Sequence, residues 1–106
     1  MALINGMTVK IYIDIDETIS NTPYCRNYSL AKTILENIEE ANELYKKGHT
    51  IIYWTARGTK TGINWFHVTL NQLNTWGCRF TELRLGKPNY DLFIDDKNIN
   101  SENYFS

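Results

Sequence analysis

The sequence predicts an α/β domain: a short parallel sheet wound with helices on both faces into a three-layer sandwich. Three observations predict it. Residues 9–13 (V-K-I-Y-I) form a short apolar run rich in strand formers, the mark of a buried strand. Residues 30–47 carry Ile34, Leu35, Ile38, Ala41, Leu44 and Tyr45 at helical spacing, with Glu39, Glu40 and Glu43 between them. Residues 50–54 (T-I-I-Y-W) are a second strand-type run. Strand, helix and strand in that order make a right-handed crossover in a parallel sheet.

The remaining elements follow along the chain. Residues 1–8 read as a loose lead-in, with Met7 an alternative start. Residues 20–27, rich in Asn, Thr and Pro, read as a loop or small flap, and Ser29 as a cap for the next element. Lys46 and Lys47 suit the last turn of the first helix, and Gly48 its stop. Residues 61–76 predict a second helix with Ile63, Phe66, Leu70 and Leu73 as its buried stripe, ended by Gly77. Residues 79–85 alternate as a short edge strand, and residues 92–94 read as a fourth, buried strand. A weak turn at 101–105 is expected to fold its aromatics back on the sheet. Acids end the first and fourth strands, so the expected spatial order is 3-2-1-4. The first strand then sits at the switch point where open α/β sheets bind ligands.

A chain of 106 residues is one ordinary domain, large enough to bury a core without staples. With 11 basic and 12 acidic residues the net charge is -1, which is no footprint for non-specific nucleic-acid binding, although a local basic site remains open. Cys25 and Cys78 match no metal spacing. With no secretory signal and no apolar run of membrane length, the expectation is a cytoplasmic protein with two free thiols and no membrane partner.

The chemistry gathers after the first strand, where Asp14 and Asp16 stand two positions apart and Thr18 follows. Carboxylates that converge in a partly dry site repel, and a hard divalent cation relieves that, so the stretch suggests Mg²⁺. The plainer reading is a strand running into a solvated acidic turn. The expected topology brings three more groups to the same end: Thr55, Lys87, and the pair Asp95 and Asp96. In that set Asp14 is the nucleophile toward phosphorus and Asp16 the acid and base. Asp14, the Asp16 carbonyl, Asp95 and Asp96 make the oxygen shell for the metal. Thr55 donates to phosphoryl oxygens and Lys87 offsets the charge. Thr55, Ala56, Arg57 and Lys87 form the phosphate-binding side, with Arg57 and Gly58 ahead of a helix N-terminus. Arg57 reads equally well as a structural ion-pair partner.

The set as a whole resembles the haloacid dehalogenase-like (HAD) phosphatases, over nearly the whole chain from Val9 to Phe105. Their first motif stands here as D14-I-D-E-T18, and their second as the strand ending at Thr55. Their lysine is Lys87, and their paired acids are Asp95 and Asp96 after L-F-I. W-T-A-R-G, L-G-K-P-x-Y-D and F-I-D-D-K look like small HAD hydrolases associated with capsule and surface-polysaccharide genes. The resemblance implies a Rossmann-type fold and Mg²⁺-dependent hydrolysis of a phosphate monoester through an aspartyl-phosphate. Many relatives have Gly where Glu17 stands, which bears on rate and substrate preference. Residues 19–30 and 57–61 are too short for a cap domain, so an open site and a large substrate or a closing partner are expected.

Single residues carry plainer readings. Thr55 alone is an ordinary strand end, Lys87 a solvated lysine before a Pro turn, and Asp95-Asp96 a turn cap. Asp91 reads as a cap or turn residue ahead of the fourth strand. His49 and His67 read as surface or helix residues, and Trp54, Trp65, Phe66 and Trp76 as core and rim. Tyr24, Tyr28 and Tyr90 are candidates for the mouth of the site. A phosphorylated sugar or polysaccharide-pathway intermediate is the first substrate class. A nucleic-acid 3′-phosphatase or nucleotidase, and a non-catalytic binding module on the same scaffold, are the alternatives.

Overall fold

The computed structural model describes residues 7–25 and 27–105; the expectation for the lead-in falls mostly on residues 1–6, outside them. Strand β1 (Lys10–Ile13) pairs in parallel with a later strand, Thr50–Trp54, in the register Lys10 to Thr50 and Ile13 to Tyr53. Between them a two-stranded antiparallel hairpin forms from β2 (Ser20–Asn21) and β3 (Lys32–Thr33). A single 3₁₀ turn, Tyr28–Leu30, sits inside that hairpin, and the Asn27 side chain caps it by accepting from Ser29 N. This is the small flap that the Asn-, Thr- and Pro-rich stretch suggested. It also delays the first helix, α1, which spans Leu35–Lys46 rather than starting at residue 30.

Thr50–Trp54 is strand β4, and helix α2 (Phe66–Thr75) follows it. The third parallel strand, β5 (Glu82–Arg84), lies at the edge beside β4, with Ile52 opposite Glu82 and Trp54 opposite Arg84. The sheet order β1-β4-β5 reproduces the first three positions of the expected order.

The fourth strand does not form. Residues 92–94 lie outside any strand, with Leu92 76% and Ile94 87% exposed. Two right-handed steps in the same direction, β1 to β4 to β5, put both crossover helices on one face of the sheet. Ile13, Ile51 and Tyr53 accordingly join Ile38 and Ala41 of α1 and Leu73 of α2 in one cluster, which Ile15, Ile19 and Cys78 extend. On the opposite face Tyr12 is exposed, and its ring meets that of Trp54 edge-on at 5.6 Å. Ile52, on that same face, is nonetheless buried. The expected three-layer sandwich is therefore an α/β fold with a small parallel sheet and its long helices on one side.

Two smaller expectations also shift. The buried positions of α2 are Thr69 and Leu73, while Ile63 precedes the helix and is exposed. The tail forms a short helix α3 (Ser101–Tyr104), where burial, and after it the Glu40 charge, raises the Tyr104 pKa. His49 is buried, and its Nδ1 accepts from Val9 N at 3.2 Å.

Candidate active site

The carboxyl ends of β1 and β4 set the site. After Ile13 the chain folds into a compact turn closed on one atom, since the Ile15 carbonyl accepts from the N–H groups of Thr18, Ile19 and Ser20. Ile15 and Ile19 are fully buried, which anchors the turn and lifts Asp14 and Asp16 to its rim. Glu17 takes a left-handed backbone (φ 64°), and its carboxylate accepts from Thr22 N at 2.7 Å. The Glu17 side chain thus ties the turn to the hairpin.

At the end of β4, Thr55 is almost fully buried. Its N–H donates to the Arg84 carbonyl and its own carbonyl accepts from Lys87 N at 3.1 Å. The Thr59 hydroxyl holds the Lys87 carbonyl at 2.8 Å. These bonds aim the lysine, whose Nζ lies 3.5 Å from Asp14 Oδ1 and 5.4 Å from the centre of the Tyr90 ring. Burial raises the Asp14 pKa and the Asp16 charge adds to it; Lys87 and the Ile15 N–H oppose them without cancelling them.

Asp16 is committed elsewhere. Both its oxygens accept from Arg57, Oδ2 from Nε and Oδ1 from Nη2, each at 2.9 Å. Arg57 is 2% exposed, and its Nη1 donates to Thr69 Oγ1 and Gln72 Oε1. Of the two readings of Arg57, the structure gives the ion-pair partner. Its guanidinium is spent on Asp16 and α2, so it is not placed to hold phosphate. Ala56 links Thr55 to Arg57, and its carbonyl accepts from Thr59 N.

Asp95 and Asp96 are not brought to Asp14. Both are exposed, and they hydrogen-bond to each other, which holds the Asp95 pKa down and the Asp96 pKa up. Among the described residues no group of three His, Cys, Asp or Glu side chains stands close enough to share a metal ion. The expected shell of Asp14, Asp16, Asp95 and Asp96 is therefore not assembled, because the strand that would carry the last two does not form.

Of the tyrosines at the mouth, Tyr90 faces Lys87 and Tyr28 covers Arg57 at 4.7 Å, whereas Tyr24 is fully exposed in the hairpin. Cys25 and Cys78 are both free, and burial pushes the Cys78 thiol up to about 11. Thr69 and Gln72 were not among the expected site residues. A threonine three residues after Phe66 and four before Leu73, in a stripe otherwise apolar, was the available signal.

No family model matches the chain, and no curated protein does. A crystallised target protein from Vibrio cholerae is similar in structure, with a TM-score of 0.78 over 94% of this chain and 89% of that one, at 24% identity. The likeness is one of fold. Among the described residues no helix is long and apolar enough to cross a membrane.

Proposed function

We propose that the chain is a HAD-type phosphatase that hydrolyses a phosphate monoester through an aspartyl-phosphate on Asp14. The observation that carries the reading is the Lys87 ammonium 3.5 Å from a half-exposed Asp14 carboxylate at the end of β1, beside the buried Thr55 at the end of β4. The motif order D14-I-D-E-T18, Thr55, Lys87 agrees with it.

In this reading an Asp14 oxygen attacks phosphorus and the bond from phosphorus to the ester oxygen breaks. The departing oxygen takes a proton from Asp16 and leaves as the alcohol. Water then attacks the phosphorus of the acyl phosphate and returns a proton to Asp16. Phosphate leaves and the Asp14 carboxylate is restored. Lys87 stabilises charge that builds on the phosphoryl oxygens, and it is positioned by backbone before the substrate arrives. Thr55 Oγ1 accepts from Arg57 N at 3.1 Å and has its own proton to donate to a phosphoryl oxygen. Mg²⁺ is the metal this class of hydrolase uses, but the acids as placed do not gather around one, so these roles are those of the side chains alone. The hairpin between β1 and α1 is too small to close over Asp14, which suits a large or extended substrate.

The test is phosphate release from a panel of sugar phosphates, nucleotides and phosphorylated oligonucleotides, with and without Mg²⁺, using the Asp14→Asn protein as the blank. Release by the parent and none by the blank is expected, with sugar phosphates preferred. Equal release by the two proteins overturns the mechanism.

A further inference from the structure

We propose that Arg57 is the positioning residue of this site: anchored on α2, it fixes the Asp16 carboxylate and selects the lone pair through which Asp16 exchanges its proton with the leaving oxygen. The inference rests on the phosphatase reading above.

The geometry is a planar fork on a planar acceptor. Nε and Nη2 meet the two Asp16 oxygens at 2.9 Å each, and two parallel bonds fix the plane of the carboxylate as well as its distance. The Ser20 hydroxyl lies 3.4 Å from Oδ1. A carboxylate offers about four lone-pair positions; Arg57 takes one on each oxygen, and the Ser20 hydroxyl, which shares its one hydrogen between Oδ1 and the Ile15 carbonyl 3.5 Å away, competes at Oδ1 and leaves the second position on Oδ2. In the proposal that oxygen carries the proton to or from the leaving oxygen.

The fork is itself held. The Arg57 side chain has no solvent exposure, and Nη1 donates to Thr69 Oγ1 at 3.1 Å and to Gln72 Oε1 at 2.6 Å. The Gln72 amide is oriented in turn, because its Nε2 donates to the Tyr28 carbonyl at 2.6 Å. The Tyr28 ring covers the guanidinium. Asp16 is thus set from α2 and from the 3₁₀ turn of the hairpin, two elements outside its own loop. A lysine at 57 keeps the charge but has no fork, so it holds neither the plane nor the second oxygen.

The proton matters more for some substrates than for others. A p-nitrophenolate leaves without protonation, whereas an alkoxide requires it. The Arg57→Lys protein is therefore expected to lose kcat/KM for a simple alkyl phosphate by at least about tenfold more than for p-nitrophenyl phosphate, within the usual range of general-acid catalysis. Loss of folded protein alone lowers both equally. Equal losses, or no loss, overturn the proposal. If Arg57→Lys does not fold, Thr69→Val and Gln72→Leu each remove one acceptor from Nη1, and the same skew toward p-nitrophenyl phosphate is expected, smaller in size. The Asp14→Asn blank separates the two levels. Should the parent hydrolyse neither ester above that blank, the phosphatase reading falls and this inference with it. Should the parent hydrolyse both and the variants show no skew, only the role of Arg57 falls.

Discussion

The Lys87 ammonium stands 3.5 Å from the Asp14 carboxylate because both ends of its segment are tied to the loop after β4: its N–H to the Thr55 carbonyl, and its carbonyl to the Thr59 hydroxyl. Its backbone is thus held, and side-chain exposure of 14% keeps the charge poorly screened. Lys87→Met removes the charge and preserves most of the packing. It is expected to lower kcat by about 10²–10³, the usual cost of one preorganised electrostatic donor. Steady-state kinetics on p-nitrophenyl phosphate checks it.

Asp14 makes a stability prediction with a definite sign. Its folded-state pKa lies above the ordinary 3.8, with burial the main cause. The folded state therefore binds this proton more tightly than the unfolded state does. As pH rises from 3.8 through the raised folded value, the unfolded chain releases the proton first and stability falls. Above that window Asp14 is a standing cost. Asp14→Asn is expected to raise the thermal midpoint at pH 7, and the gain to shrink as pH falls through the raised folded value toward 3.8 and to be gone below it. Melting curves of both proteins across that range read it directly.

Gly58 predicts a backbone effect. It has φ 81°, and a Cβ there would stand 2.0 Å from the Ile63 carbonyl oxygen. Gly58→Ala meets both a left-handed conformation and a backbone clash, so it is expected to destabilise the fold by more than about 1 kcal/mol. Because the residue follows Arg57, activity is expected to fall further than the loss of folded protein accounts for. Urea unfolding beside a rate assay separates the two.

Glu17 gives the opposite expectation. Replacing it with Gly relieves a left-handed backbone, worth about 1–2 kcal/mol. It also loses an exposed hydrogen bond to Thr22 N, about 0.5–1.5 kcal/mol, and adds the flexibility of glycine. The terms nearly cancel, so Glu17→Gly is expected to leave stability within about 1 kcal/mol. Faster amide exchange at Thr22 is the readout.

Much of this layout was legible in the sequence. The runs at 9–13 and 50–54 announced two parallel strands because their apolar, strand-forming side chains leave little choice. The acids after the first run, and Thr55 after the second, marked the sheet end where Asp14 and Lys87 meet. Lys87 was legible only as a member of a set, and the hydrogen bonds from Thr55 and Thr59 that aim it belong to the folded chain. The run at 92–94 misled because an apolar triplet states a need for cover without stating whether a face is available. Arg57 was left open between two roles, since nothing local in W-T-A-R-G says where a long side chain ends. Its partners lie on the turn of Asp16 and on α2, and the helix stripe, read as apolar, passed over Thr69.

The proposed reaction passes through a covalent bond between Asp14 and the phosphoryl group. Rapid acid quench of the protein during incubation with p-nitrophenyl phosphate, followed by peptide mass spectrometry, detects it. The added mass of one phosphoryl group is expected on the peptide containing Asp14, and is expected to be absent from the Asp14→Asn protein. Turnover by the parent with no such adduct, or the adduct on another residue, contradicts it.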